Sequence, residues 1–252
     1  MLTSRLIGIG LCLVAPLGFA ASAAQAQAPV RFSVTNNWTM PLAEFSPTGA
    51  PQDGVMLKII LAIGKASSLP WEIVTLPRQR LDDAAEAGEI DVRCYSRPEW
   101  TRSPDSYIWS DPIMTHRNLL IARQGAAQLQ GIADLAGRSV AIVLGFRYMG
   151  LERYLQSATV TRHVVPTERN VALMVALGRS DYGFISALTL KYLRPREPAL
   201  DNIVSIDIPP EELEVRCAVR RTLDPIRISA ILSAVASLRA SGKFQEILDE
   251  SP

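Results

Sequence analysis

Apolar and polar positions change their period several times along the chain, and each change marks a new element. Short runs rich in β-branched residues predict strands over Arg31 to Thr35, Trp71 to Thr75, Asn118 to Arg123, Ser139 to Leu144, Thr161 to Val165 and Tyr182 to Ile185, with Ile203 to Ile208 and Glu214 to Arg220 also extended. Between them the spacing turns helical. Gly54 to Ser68 reads as a helix that mostly buries Val55, Leu57, Ile59, Ile60, Leu61 and Ile63, and Leu81, Ala84 and Ala85 recur at helical intervals before Gly88. GIADLAGR and Arg147 to Leu155 are further short helices. Thr167 caps one that ends at Gly178, and Asp224-Pro225 supplies a cap and first-turn proline for a long helix to Ser241. Alternation of this kind predicts an α/β chain of mostly parallel sheet with helices on both faces, in one sheet or two.

The stretch from Leu76 to Ile113 holds the first candidate chemistry. A helix, the Gly88 turn and a strand beginning at Ile90-Asp91-Val92 lead into a polar loop. Ligands of open α/β sheets bind beyond the carboxyl ends of strands, which places Cys94 through Arg102 at a cleft. Tyr95, Ser96, Arg97, Trp100 and Arg102 lie there. Guanidinium groups present a fork of donors that matches a carboxylate, and aromatic rings add an apolar wall. The competing reading is an arginine-rich solvated loop.

The first segment reads as an export signal. Arg5 is its one charge, the run from Leu6 to Phe19 is apolar, and ASAAQAQA closes it with small residues. Cleavage is expected after Ala23 or Ala26, giving a freely soluble periplasmic protein, because the apolar run is shorter than the roughly 20 residues of a spanning helix. Losing Arg5 leaves twenty-five basic and twenty-five acidic side chains. A neutral chain has no overall electrostatic reason to seek nucleic acid or acidic membrane.

Export leaves two cysteines, Cys94 and Cys217, in the similar extended strings DVRCYS and EVRCAVR. They are a disulfide candidate in an oxidising compartment if their strands are neighbours, and two buried thiols otherwise. His116 and His163 stand apart without Cys or acidic neighbours at ligand spacing, so no metal is expected. No cofactor motif and no Ser-His-acid or Cys-His signature is present. Glu99 and Asp105 are carboxylates in a polar loop, where solvation is the commoner fate than acid-base work, so the chain is not expected to be an enzyme. Trp38 and Trp100 are divided between packing and ligand contact, and Trp109 reads as packing.

Several strings in order, GVMLKIILAIGKA, AAEAGEID, YIWSDPI, LLIAR, DLAGRSVAIVLGFRY, ALGRSDYGFIS and LSAVASLRASGKFQEIL, resemble the family 3 extracytoplasmic solute-binding proteins of the polar amino-acid type. The resemblance implies a two-lobed periplasmic-binding-protein type II fold, each lobe a mostly parallel sheet flanked by helices and joined by two crossing strands. Residues 29–116 plus 214–252 would form lobe 1 and residues 117–213 lobe 2, which sets Cys94 and Cys217 in one lobe. It also implies a monomer that captures a small ligand for an ABC permease, or reports its ligand to a membrane receptor.

In that family an arginine clamps the ligand carboxylate and an aspartate pairs with its ammonium. Arg102, before Trp109-Ser110-Asp111, is the matching arginine though one residue out of register, with Arg97 as substitute. Gly145, Phe146 and Arg147 hold the place of a lobe 2 amide contact, and Asn36, Asn37 and Trp38 the first-strand loop. The aspartate position holds Ser186, which cannot balance an ammonium as a carboxylate would. With Arg78, Arg80, Arg97, Arg102 and Arg147 as potential lining groups, the expected ligand is a small carboxylate or other anion, with little or no amine recognition.

Overall fold

The computed structural model describes residues 27–127, 129–148, 152–156, 159–206 and 212–250. The expected leader and its cleavage sites at Ala23 and Ala26 lie outside these residues, as do Asp207 and Ile208 of a predicted strand. The strands are β1 (Val30–Thr35), β2 (Glu44–Phe45), β3 (Pro51–Asp53), β4 (Trp71–Leu76), β5 (Val92–Ser96), β6 (Tyr107–Arg123), β7 (Ser139–Val143), β8 (Thr161–Val165), β9 (Tyr182–Ser186), β10 (Ile203–Ile206) and β11 (Glu212–Arg220). The helices are α1 (Val55–Ser67), α2 (Leu81–Glu86), α3 (Glu152–Leu155), α4 (Glu168–Ala176), α5 (Ala187–Leu193), α6 (Pro225–Ala240) and α7 (Lys243–Asp249).

Strand β6 serves both halves of the molecule. Its residues Tyr107 to Arg117 pair antiparallel with β11, whereas Asn118 to Ala122 pair with β9 and Leu120 to Arg123 with β10. The order β4-β1-β5-β11-β6 continues as β6-β9-β7-β8. One lobe is therefore built on β1, β4, β5, β11 and the first part of β6, and the other on the end of β6 with β7 to β10. β1 runs parallel to β4 and β5, and β7 parallel to β8 and β9, as the helix-strand alternation predicts.

Two expectations change. The YIWSDPI segment is strand rather than loop, and Pro112 hides it because proline normally breaks a ladder. It is accommodated at an irregularity where the β11 register shifts beside Arg216. The helix expected from Arg147 is confined, among the described residues, to Glu152–Leu155. Tyr148 instead turns inward, and its hydroxyl accepts the Val143 N–H at 2.9 Å.

Each lobe has its own core. Phe32, Val34, Ile59, Ile60, Ile63, Val92, Val215 and Val235 form the first, and α1, α6 and α7 cover it. In the second, successive residues of β6 divide between faces: Leu120 and Ala122 join Leu135, Val140 and Tyr182, while Ile121 joins Val175, Ile185 and Leu190. That division is the period-2 rule of a strand buried on both sides. The predicted caps are in place, since Thr167 accepts the Asn170 N–H and Asp224 accepts the Ile226 and Arg227 N–H groups.

Asp91 fixes the approach to β5. Its buried carboxylate accepts from Arg31 of β1 at 3.1 Å and from Arg220 of β11 at 2.7 Å. Burial alone would raise its pKa, but these partners bring it below the usual carboxylate range. Beside it, Cys94 of β5 and Cys217 of β11 are joined by a disulfide that closes a span of 123 residues. Closing so long a loop restricts the unfolded chain, an effect of roughly 2–5 kcal/mol. Cys94→Ser with Cys217→Ser is expected to lower unfolding stability by about that amount in urea titrations, and reductant should do the same to the parent chain while leaving the double variant unmoved.

Candidate functional site

The cleft between the lobes narrows to a cavity of about 30 Å³, room for only two or three waters. Trp38, Arg78, Tyr95, Trp100, His116, Asn118, Phe146, Arg147 and Tyr148 line it. Six of these nine carry rings, two carry guanidinium groups, and none carries a carboxylate.

The lobe 1 wall is an aromatic cluster around Tyr95. Its ring lies edge-on to Trp38 at 5.8 Å and to His116 at 5.6 Å, and 6.2 Å from Trp100, which meets His116 at 5.5 Å. Tyr95 holds φ 58°, a left-handed conformation that costs a bulky residue free energy. The packed rings and one short hydrogen bond hold it there.

That bond links Tyr95 to the strand that joins the lobes. The Tyr95 hydroxyl lies 2.7 Å from His116 Nδ1, and His116 Nε2 lies 3.0 Å from Asn118 Oδ1. An amide oxygen only accepts, so Nε2 carries the proton. A neutral imidazole then has a bare Nδ1 that accepts from the tyrosine. Burial, with a smaller push from Arg97, holds the His116 pKa down at about 4, and burial pushes the Tyr95 phenol well above its ordinary value.

Two cations meet across the seam. Arg78 follows β4 and Arg147 follows the β7 loop, and neither guanidinium makes a hydrogen bond or ion pair with the described residues. Burial, followed by repulsion from Arg93, lowers the Arg78 pKa to about 10; Asp82 opposes this and Arg147 adds to it. Asp82 itself is bonded to the buried Arg93 at 2.6 Å. Nearby, Gly145 at φ 76° has no room for an unhindered Cβ, which would lie 3.2 Å from Gln79 and 3.3 Å from Arg78. Asn37 Nδ2 donates to the Leu144 carbonyl at 3.4 Å, a second contact across the seam.

The sequence-predicted residues separate accordingly. Trp38, Tyr95, Phe146 and Arg147 line the cavity, and Asn36 lines an adjoining cleft shared with Arg78. Gly145 sits at the seam. Arg102 is not in the cavity: its guanidinium lies on the outer face, 54% exposed, bonded to Asp83 at 2.8 Å and near Glu86 at 3.5 Å. Arg97 is held by Glu99 at 3.2 Å and donates to the Glu214 carbonyl. Ser96 is buried in β5 outside the cavity. The Phe146 N–H donates to the Val143 carbonyl, so it is committed within its own turn.

Ser186 caps α5 rather than facing the cavity. Its N–H and hydroxyl donate to Glu168, whose buried carboxylate also accepts from the Thr189 hydroxyl. Burial raises the Glu168 pKa and these donors oppose the rise. Glu168, His116 and Asn118 are the residues that sequence reasoning passed over; a helix-capping Thr167 followed by an acid is the one signal that pointed near Glu168.

No model of a known protein family matches the chain. PatH of Vibrio harveyi, which carries the name of an amino-acid ABC transporter-binding protein, is 27% identical over 172 residues, a match covering 67% of this chain and 66% of PatH. Among solved structures, an ancestral arginine-binding protein bound to arginine superposes with a TM-score of 0.72 at 17% identity, covering 90% of this chain and 99% of that one. A histidine kinase sensor domain with similarity to periplasmic binding proteins superposes at 0.71 and 20% identity, covering 90% and 96%. The chain thus has the two-lobed periplasmic-binding-protein type II fold. Its sequence strings resemble family 3 of the extracytoplasmic solute-binding proteins, and PatH, similar over part of its length, bears a name of the same kind. No helix of the described residues is long and apolar enough to cross a membrane.

The neutral state of His116 makes a pH prediction. The unfolded chain binds a proton near pH 6.5 that the folded site refuses until about pH 4, so this contribution is complete above 6.5 and is lost as pH falls towards 4. Between pH 7 and pH 4 the stability advantage of the parent over His116→Gln should shrink by on the order of 3 kcal/mol in urea titrations. An unchanged difference would mean that the imidazole titrates normally.

Proposed function

We propose that this chain is a periplasmic solute-binding protein that captures a small anion between its lobes and presents the closed form to an ABC importer. The observation that carries this reading is the pair Arg78 and Arg147, two cations from opposite lobes that line one cavity without a carboxylate partner. An anion placed between them gains charge-assisted hydrogen bonds from both sides in a site with little water. No bond is made or broken. Lobe 1 offers Arg78 and the aromatic wall to the incoming ligand, and closure adds Arg147, Phe146 and Tyr148.

The ligand's ammonium, in a zwitterionic amino acid, would find only the rings, since Ser186 caps α5 away from the cavity and Glu168 is already engaged by three donors. The pocket therefore favours simple organic acids over α-amino acids. A membrane receptor could read the same closed outline, and the fold likeness to a kinase sensor domain is the observation on that side.

Calorimetry on two variants separates this assignment from the one made on sequence register. Arg78→Ala should weaken binding of small carboxylates by about 2–5 kcal/mol. Arg102→Ala, which removes only an exposed pair with Asp83 and Glu86, should leave binding within about threefold of the parent. Tight binding of α-amino acids with no response to organic acids would sink the specificity argued here.

A further inference from the structure

The polar groups of the cavity have one more property in common: those left uncommitted are donors. Arg78 and Arg147 can only donate. Asn118 spends its carbonyl oxygen on His116 and keeps its NH2. Trp100 lines the cavity, is 8% exposed, and its indole Nε1–H has no acceptor. A buried donor without a partner costs about 1–3 kcal/mol, so the bound form gains by supplying one. The stronger acceptors are already bonded, and what remains is mainly the lone pairs of phenol oxygens, which are weak acceptors. His116 Nδ1 receives the Tyr95 hydroxyl, and the Tyr148 oxygen receives the Val143 N–H, which leaves that phenol its own proton to give. Glu168 is occupied by Ser186 and Thr189.

Resting on the anion-capture reading, we infer that the ligand is a small acid bearing a second oxygen acceptor and no donor, an oxo acid or a dicarboxylate, and that Trp100 is the specificity residue that reads the second oxygen. The two charges would engage the carboxylate, and Trp100, whose buried indole N–H has no acceptor, lines the same cavity. An amine or a hydroxyl brought to the same place offers a proton to groups that already hold their own. A plain carboxylate fills the anion site and leaves the indole unsatisfied. Trp100 thus acts on selectivity, while Arg78 and Arg147 act on affinity for any acid.

The test is calorimetric titration of the full mature chain with propionate, pyruvate, malonate, lactate and alanine, repeated on Trp100→Phe, which keeps an aromatic ring and removes the N–H. Pyruvate or malonate is expected to bind about tenfold more tightly than propionate, with lactate between and alanine weakest. In Trp100→Phe the pyruvate-to-propionate and malonate-to-propionate affinity ratios should fall to about one, and ratios that stay near tenfold overturn the selectivity role. Equal binding of propionate, pyruvate and malonate by the parent overturns the two-acceptor inference and leaves anion capture standing. Binding of none of the acids overturns both. If Trp100→Phe loses propionate as well as pyruvate, with an unchanged melting curve, the ring is a general wall and the selectivity role is wrong.

Discussion

A single seventeen-residue strand, β6, is shared by both sheets, and the architecture of the cleft follows from that constraint. Its pairing partner changes from β11 to β9 at Arg117 and Asn118, so the sheet divides where one backbone passes from lobe to lobe. His116 and Asn118 stand at this division, with side chains turned to the same cavity. The hydrogen-bonded row Tyr95, His116, Asn118 consequently connects the end of β5 with the crossing strand itself. A change in the aromatic wall is therefore close to the place where the chain passes from one lobe to the other.

The neutral imidazole is well suited to this position. A charged one would add a third cation to a cavity already holding Arg78 and Arg147, and would place its proton on Nδ1 against the Tyr95 hydroxyl. Burial in a ring cluster removes that option by penalising the charged form. The same burial fixes the tautomer, because Asn118 Oδ1 leaves Nε2 no alternative but to donate. Local electrostatics and local packing therefore require the same state of one residue.

Much of the fold was legible because periodicity reports burial directly. The strands β1, β4, β7, β8 and β9 and the helices α1, α4 and α6 follow their apolar spacing to within a few residues. The first half of β6 was not, since Pro112 and a charged Asp111 interrupt its pattern; the sequence does not show that β11 bulges to receive them. In the site, the aromatic residues and Arg147 were recognisable, whereas the choice among arginines was not. Arg102 has the right position in sequence, but Asp83 and Glu86 of α2, roughly one turn apart, draw it to the outer surface. Arg78 precedes the same helix and lies beyond reach of those acids. Which guanidinium remains unpaired is a property of the packing of α2 against β5, where Asp82 is consumed by buried Arg93. Ser186 shows the same limit, for its hydroxyl looked like a weakened ligand contact and is instead half of a cap over Glu168.

Closure can be argued from the charges alone. Two guanidinium groups lining one cavity repel, and Arg147 adds a lesser contribution to the lowering of the Arg78 pKa. A long hydrogen bond from Asn37 to the Leu144 carbonyl and the packing of Leu188 against the lobe 1 core are contacts that cross the seam. On the anion-capture reading proposed above, an anion would reverse the balance, because each guanidinium would then meet an opposite charge. On that reading the ligand would act as the counterion that lets the two halves meet, and the discrimination between empty and filled states would fall on charge rather than on shape.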